Sequence, residues 1–291
     1  MTGRVSASGV RIRRDAPRVT WLQLVGGYLV LGTFAAVALL PILTIWLTGF
    51  KTNADLVESF FGLPRAWHWE NVAAAWDRGR FGTFLANSLI VVVPVVLGAL
   101  VLSTLAGYGL ARWRFRGQQL VLFVLLLGLM APMEAVIIPL YYDMRAIGLL
   151  NTYAALILPQ VGLSVAFGSW WMRAFFLSAP GELLDAAAVD GAGPVAALRH
   201  VLLPLARPAL LTLGVLVFTW TWNEFLLALV LVSDDAVRTL PVGLAFFVGQ
   251  YSADVPLLAM GATIVSLPIV LVFLVFQGSL IRGIVGGAVR G

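Results

Sequence analysis

The sequence predicts an all-α membrane protein with six transmembrane helices. Three observations lead to this prediction: an apolar composition, six long apolar segments, and an uneven distribution of arginines between them. Of the 291 residues, 60% are hydrophobic and only 11% are charged, whereas a soluble domain typically has about 25% charged residues. This composition excludes an ordinary soluble or disordered protein. Because the chain has no cysteine, disulfides, thiolate nucleophiles and cysteine-bound zinc are excluded as well.

Six segments are long and apolar enough to cross a bilayer. A hydrocarbon core about 30 Å thick requires about 20 mostly apolar residues in a helix. The segments that meet this requirement are residues 22–48, 84–111, 119–142, 153–177, 208–232 and 256–281. A further apolar run, residues 240–249, is too short to span the membrane and is predicted to be a re-entrant or interfacial segment.

The distribution of positive charge predicts the orientation. Thirteen of the 19 Lys and Arg residues lie in the N-terminal tail, in the loops after the second and fourth spans, and in the C-terminal tail. The positive-inside rule therefore places both termini in the cytoplasm. We expect a cytoplasmic tail of residues 1–20, a membrane domain of residues 21–282 and a cytoplasmic tail of residues 283–291. Because no single face gathers the basic residues, no nucleic-acid partner is predicted.

The cytoplasmic loop of residues 178–208 is predicted to form two short helices. Ser178 is the predicted N-cap of the first helix, with Pro180 in its first turn. Gly191 follows this helix at a position that favours positive φ. Pro194 is expected to begin the second helix, and Pro204 to end it. A short, stiff helix of this kind can dock into a groove on a partner, although the pattern also suits a solvated connector.

Several residues of this loop resemble the EAA loop, which marks the membrane subunits of ABC importers. They are Asp185, Ala186, Ala187, Asp190, Gly191 and Ala192, followed by Pro204, Leu205 and Pro208. The leading glutamate of the family pattern is Asp185 here, which keeps the charge but has a shorter reach. The resemblance implies that this loop contacts an ATPase subunit, with the contact residues Glu182, Asp185, Ala186, Ala187, Asp190, Gly191, Ala192 and Pro204.

Other parts of the chain resemble the carbohydrate permeases of maltose-type ABC importers. The matching residues include Lys51-Thr52, Asn87-Ser88, Asn151-Thr152, the block from Trp222 to Phe225, and the C-terminal Gly286–Gly291. The resemblance implies a type I ABC importer permease with six spans and a two-helix coupling loop, located in a bacterial or archaeal plasma membrane. It also implies three partners: a second, different permease, a cytoplasmic ATPase dimer, and an external solute-binding protein.

The expected chemistry of this chain is transport and not catalysis. The sequence lacks the phosphate-binding pattern G-x-x-x-x-G-K-[ST], so ATP hydrolysis is expected on the ATPase partner. We expect this chain to bind no cofactor or metal, with ATP and Mg²⁺ held by that partner.

A polar and aromatic cluster in the fifth span is the candidate lining of the solute path. It consists of Trp220, Trp222, Asn223 and Glu224. An ionised carboxylate near the bilayer centre costs about 2.5–3.5 kcal/mol or more, so Glu224 is expected to face protein or a wet cavity. In a continuous helix, Trp220, Asn223 and Glu224 share one face. Packing between helices is the alternative explanation for the tryptophans.

Three alternatives to a sugar importer subunit remain open at this point. The chain could carry another solute class, such as glycerol phosphate or a polyamine. It could be a stand-alone secondary transporter, although the last three spans show no convincing repeat of the first three. It could also be a membrane scaffold for a cytoplasmic protein. The sequence does not identify the solute.

Overall fold

The computed structural model describes residues 21–130, 132–249 and 252–288. Its α-helices, in chain order, are α1 Trp21–Gly49, α2 Asn53–Glu58, α3 Glu70–Arg78, α4 Phe81–Arg112, α5 Gln118–Met130, α6 Met133–Ala146, α7 Tyr153–Ser178, α8 Gly181–Val189, α9 Pro194–Ala197, α10 Leu203–Trp222, α11 Leu226–Leu231 and α12 Val255–Ala288. A π-helical turn, Leu198–Leu202, joins α9 to α10, and a 3-10 helix, Leu240–Phe247, follows α11. The described residues contain one isolated β-bridge and no strand. The predicted all-α class is therefore confirmed.

Five helical segments are long and apolar enough to span a membrane. They are Gln23–Gly49, Phe81–Arg112, Tyr153–Ser178, Pro194–Trp222 and Val255–Gly278. The pair α5 and α6 adds a sixth if it is counted as one broken span, and this count agrees with the six predicted spans. The predicted third span, residues 119–142, is not one straight helix, because α5 and α6 are bent by 101° at their break. Pro132 precedes α6, and a proline has no N–H to continue the hydrogen bonding of α5.

The contacts divide the chain into two compact units, Met1–Thr44 and Ile45–Gly291. The described part of the first unit consists of residues 21–44 of α1. The predicted N-terminal tail, residues 1–20, and the final residues 289–291 lie outside the described residues. In the second unit, α12 continues as a helix to Ala288, beyond the predicted end of the sixth span at residue 281.

The predicted boundaries around the loop of residues 178–208 differ from the structure at Ser178, Pro180 and Pro204. Pro180 is the N-cap residue of α8 and not part of its first turn. Ser178 is the last residue of α7 and its hydroxyl donates to Phe175 O, so it does not cap α8. Pro204 does not end a helix, because it lies in the first turn of α10. The π turn places the N–H of Leu203 on Leu198 O, and this wider turn carries the helix past the proline.

The pair α4 and α7 forms the centre of the second unit, and small residues allow the two backbones to approach closely. A Cβ added to Gly107 would lie 2.7 Å from Met172 Cβ and 2.8 Å from the backbone N of Arg173. A Cβ added to Gly168 would lie 2.1 Å from Ser103 Oγ. Close packing at small residues is the main source of helix association in lipid, where the hydrophobic effect does not drive helices together.

Asparagine contacts at one end of this helix pair tie α4 and the start of α7 to the loop that follows α11. Asn87 Nδ2 donates to Ala236 O and Arg238 O, both at 2.9 Å, and its Oδ1 accepts from the Tyr153 hydroxyl at 2.8 Å. Asn151, with a φ of 60°, accepts hydrogen bonds through Oδ1 from Ser233 and Asp234. In the six-span prediction, the loops after the third and fifth spans lie on the same side of the membrane.

The segment after α1 is ordered by polar contacts of its own. Lys51 is 1% exposed, and its Nζ donates to Ser59 O at 2.9 Å and Phe60 O at 3.0 Å. Thr52 and Asp55 form a capping box at the start of α2. The backbone N–H and hydroxyl of Thr52 donate to the Asp55 carboxylate and lower the pKa of this group.

Candidate functional site

Helix α8 is a short exposed helix with a well-defined end. Its last turn forms a Schellman motif, in which Ala192 N–H donates to Ala187 O at 2.9 Å and Gly191 N–H donates to Ala188 O at 3.0 Å. Gly191 has a φ of +78°, so the expectation of a positive φ at this residue is confirmed. Because this turn satisfies the free carbonyls of the helix, α8 ends at a fixed angle to the chain that follows.

The residues of α8 divide into a buried side and an exposed side. Ala187 is buried, and Leu184 packs against the core cluster that contains Leu198 and Leu202. Four exposed residues of the predicted contact set lie on α8 or at its C-cap, namely Glu182, Asp185, Ala186 and Asp190. Asp190 is the C-cap residue of α8. Val189 is 88% exposed. The exposed side of α8 thus carries both acidic and apolar residues along the length of the helix.

The remaining residues of the predicted contact set lie beside this surface or away from it. Gly191 is exposed and Ala192 is partly buried in the turn after α8. Pro204 is exposed but lies in the first turn of α10, beyond the π turn.

The loop that carries α8 is attached directly to α4. The Tyr108 hydroxyl donates to Pro194 O at 2.9 Å, which joins the last turns of α4 to the first residue of α9. Leu110 O accepts from Arg173 Nε at 3.3 Å and from Gln118 Nε2 at 2.7 Å. This single carbonyl therefore connects α4, α5 and α7 at the end of the helices that carries α8, named the α8 end below. Hydrogen bonds therefore link the loop that carries α8 to α4, and link α4 to α5 and α7.

A cavity of about 240 Å³ lies between α5, α7 and α10. It is lined by Gly128, Leu129, Gln160, Leu163, Ser164, Phe167, Trp220, Thr221 and Glu224. Trp220 is 47% exposed and meets Phe167 edge to face, with ring centroids 5.0 Å apart. The cavity thus combines aromatic surface with hydroxyl, amide and carboxylate groups.

The structure brings two of the four predicted path residues, Trp220 and Glu224, to this cavity. Trp222 is 1% exposed, and its Nε1 donates to Val265 O at 3.0 Å, so it packs in the core against α12 and does not face the cavity. Asn223 is exposed and its Nδ2 donates to Thr219 O, but it is not among the lining residues.

The common helical face expected for Trp220, Asn223 and Glu224 is not formed. Helix α10 ends at Trp222, and the chain is not helical again until Leu226. Glu224 lies in this break, where its Oε1 accepts from Leu227 N–H at 2.8 Å. The carboxylate therefore stabilises the start of α11, where the free N–H groups favour a negative charge. The predicted fifth span, residues 208–232, is two helices.

Sequence reasoning missed seven of the nine lining residues, among them Gln160, Ser164, Phe167 and Thr221. The available signal was the spacing of Gln160 and Ser164, which lie four residues apart in the otherwise apolar residues 154–168 and therefore share one helix face. Gln160 is 7% exposed, and its Nε2 donates to Leu156 O at 2.9 Å. Single Gln and Ser residues in an apolar segment are also typical of helix packing, and only the tertiary structure shows that they face a cavity.

Comparison with known proteins identifies the family. Residues 99–286 match the model of the binding-protein-dependent transport system inner membrane component. The probable ABC transporter permease protein YurM of Bacillus subtilis is 35% identical over 96% of this chain and 93% of its own length. The diacetylchitobiose uptake system permease protein NgcG of Streptomyces coelicolor is 34% identical over 88% of this chain and 86% of its own length.

A third relative and one solved structure agree with this result. The trehalose transport system permease protein SugB of Mycobacterium tuberculosis is 35% identical over 87% of this chain and 93% of its own length. A chain from the crystal structure of a bacterial ABC transporter that imports the acidic polysaccharide alginate has the same fold, with a TM-score of 0.73. That match covers 88% of this chain and 96% of the other at 24% identity. The chain described here belongs to the family of inner membrane components of binding-protein-dependent ABC transport systems.

Proposed function

We propose that the chain is a permease subunit of an ATP-driven sugar importer and forms half of its translocation path. The observation that carries this proposal is α8, an exposed helix with a fixed end, in a loop that is hydrogen-bonded to α4. A second, different permease supplies the other half of the path. A solute-binding protein delivers the sugar, and an ATPase dimer binds α8.

The proposed role of α8 is to transmit movement from the ATPase to the membrane helices. Glu182, Asp185 and Ala186 face the partner, and Val189, which is 88% exposed, adds apolar surface that the partner can bury. The Schellman turn at Gly191 keeps α8 at a constant angle, and the Tyr108–Pro194 hydrogen bond passes its displacement to α4. ATP and Mg²⁺ are bound by the ATPase, and this chain binds no cofactor.

The α8 end is proposed to face the cytoplasm. The arginines of the loops after α4 and α7 lie at this end, and such a bias marks the cytoplasmic side. Both tails, residues 1–20 and 283–291, then lie in the cytoplasm of a bacterial or archaeal cell.

The proposed substrate is a sugar because the cavity has the groups that sugars bind. The aromatic rings of Trp220 and Phe167 offer apolar faces, while Gln160, Ser164 and Glu224 offer hydrogen-bonding groups to hydroxyls. Two relatives named for trehalose and diacetylchitobiose support the same class. Glycerol phosphate would require a cationic partner for its phosphate, and the cavity lining contains no Lys or Arg.

The coupling of α8 to the ATPase is tested with one charge reversal on α8 and one control reversal on α6, both in the complete transporter. Asp185→Lys is expected to reduce co-purification of the ATPase and ATP-driven uptake by at least tenfold. Asp143→Lys, an equally exposed acid on α6, is the matched control and is expected to retain both. Normal ATPase binding by Asp185→Lys would contradict the docking role of α8.

The substrate class is tested by uptake into vesicles that contain the transporter with its binding protein. We expect ATP-dependent accumulation of a di- or oligosaccharide and no accumulation of glycerol phosphate or a polyamine. Accumulation driven by an ion gradient in vesicles that contain this chain alone would instead support a secondary transporter.

A further inference from the structure

The segment of residues 112–116, named here the basic–aromatic segment, alternates arginine with aromatic residues in the order Arg-Trp-Arg-Phe-Arg. It connects α4, which ends at Arg112, to α5, which begins at Gln118. Trp113 is 53% exposed and Phe115 is 48% exposed. Arg114 and Arg116 are exposed as well. Four consecutive large side chains therefore face the surroundings between two membrane helices.

Two of the three arginines in this segment lack an internal partner in the structure as described, whereas Arg112 donates to Phe176 O. Among the described residues, neither Arg114 nor Arg116 takes part in any ion pair or side-chain hydrogen bond. The sequence contains no Asp or Glu between Asp77 and Glu134. Within the part of the chain that the structure describes, no ion pair compensates the charges of Arg114 and Arg116.

The same segment is held in place by its flanking residues. The Trp113 ring meets Tyr108 edge to face, with centroids 5.5 Å apart. Gly117 adopts a φ of +91° in the turn into α5, and its carbonyl accepts from Val121 N–H at 3.0 Å. Gln118 Nε2 donates to Leu110 O across the segment. These contacts hold the backbone that carries the two exposed arginines at the end of α4 and the start of α5.

We propose that the basic–aromatic segment binds the headgroup of an anionic phospholipid in the leaflet at the α8 end. Arg114 and Arg116 pair with the phosphate, for which a guanidinium has suitable donors. Trp113 and Phe115 lie in the interfacial layer, which aromatic side chains favour. The proposal depends on membrane insertion but not on the identity of the transported solute.

Loss of the two charges tests the proposal. The purified transporter complex in detergent is titrated with phosphatidylglycerol and with phosphatidylcholine, and bound lipids are counted by native mass spectrometry. A basic residue near an anionic surface contributes about a fivefold gain in affinity. Arg114→Gln with Arg116→Gln is expected to weaken phosphatidylglycerol binding by about 25-fold and to leave phosphatidylcholine binding unchanged.

Two matched variants separate this effect from a general loss of charge. Arg65→Gln with Arg145→Gln removes two exposed arginines elsewhere and is expected to retain phosphatidylglycerol binding. Arg114→Lys with Arg116→Lys keeps the charge and is expected to stay within about threefold of the wild type, since the attraction to the anionic surface is mainly electrostatic. Equal loss in the Arg65 and Arg145 variant, or no loss in the Arg114→Gln and Arg116→Gln variant, would overturn the proposal.

Two further measurements decide between a lipid and other anionic partners. Inorganic phosphate at millimolar concentration is expected not to displace the bound phosphatidylglycerol, because free phosphate lacks the acyl chains and the apolar contact. Displacement by inorganic phosphate would contradict a lipid site. If Arg114→Gln with Arg116→Gln releases the ATPase while phosphatidylglycerol binding stays intact, the segment is a protein contact and the proposal is wrong.

Discussion

Arg112 and Arg173 each donate a hydrogen bond to the backbone of the other's helix. Arg112 on α4 donates through Nη2 to Phe176 O on α7 at 3.0 Å, and Arg173 on α7 donates through Nε to Leu110 O on α4 at 3.3 Å. The two carbonyls lie in the last turns of their helices, where the backbone lacks N–H partners and cations are favoured. This exchange holds the helix pair together beside the loop that carries α8.

The two arginines are predicted to contribute unequally. The N–H that would pair with Phe176 O belongs to residue 180, which is a proline without an N–H. Arg112→Met therefore leaves this carbonyl unpaired, at a cost of about 1–3 kcal/mol. Arg173→Met costs less than about 1 kcal/mol, since Gln118 still donates to Leu110 O. The measurement is the temperature at which half of the complex is lost on size-exclusion chromatography. Equal losses of stability in the two variants would show that the missing N–H of Pro180 does not make Arg112 more important than Arg173.

Gly191→Val is predicted to impair transport without reducing membrane insertion. A residue with a Cβ pays about 1–2 kcal/mol in the left-handed region that Gly191 occupies, so the Schellman turn opens and α8 changes its angle. Gly193→Val is the control, because Gly193 is also surrounded by open space but has a φ of −70°. We expect uptake to fall at least fivefold in the first variant and by less than twofold in the second, at equal abundance on immunoblots. Equal uptake by the two variants would show that transport does not depend on the angle of α8.

Trp222→Phe is predicted to lower the stability of the complex, whereas Trp220→Phe is predicted to lower uptake. Trp222→Phe removes the donor to Val265 O from a fully buried site and costs about 1–3 kcal/mol of stability. Trp220→Phe keeps the fold but reduces the aromatic surface of the cavity, so uptake falls while assembly is retained. Thermal stability and initial uptake rates of the two complexes are compared. Our assignment of the cavity is wrong if Trp220→Phe lowers stability and leaves uptake unchanged.

Gly107→Ala is predicted to separate α4 from α7. Its Cβ would overlap both a side chain and the backbone of α7, and overpacking of this kind costs about 1–3 kcal/mol. Gly162→Ala, within α7, meets nothing within 4 Å and is expected to be neutral or to stabilise by up to about 1 kcal/mol. The yield of assembled complex after purification distinguishes the two. A normal yield for Gly107→Ala would mean that the pair tolerates a wider spacing.

The orientation is predicted from charge and is open to a direct test. Because the chain has no native cysteine, single cysteines report without background from this subunit. Cysteines at Ser6 and Gly291 are expected to be shielded from an impermeant thiol reagent in intact cells, whereas one at Asp77 is expected to react. Reaction at either terminus would reverse or refute the proposed topology.

The sequence by itself determined the features that depend on composition and local chemistry. Apolar segments of sufficient length predict spans because lipid offers no partner to the backbone. Gly191 was predicted to have positive φ because its position after a short helix requires it. The helix start at Pro194 follows from the fixed φ of proline in the same way.

Features that depend on neighbours were decided only by the tertiary structure. Trp220 and Trp222 are two residues apart in one apolar segment, and periodicity gives no reason to prefer either as a cavity residue. Packing against α12 buries Trp222, and the gap between α5, α7 and α10 leaves Trp220 exposed. The break after Trp222 likewise escaped prediction, because the cap that supports it comes from Glu224, a residue that the sequence equally favours as part of a continuous helix. Local rules assign a residue to a helix, but its neighbours in space determine what its side chain contacts.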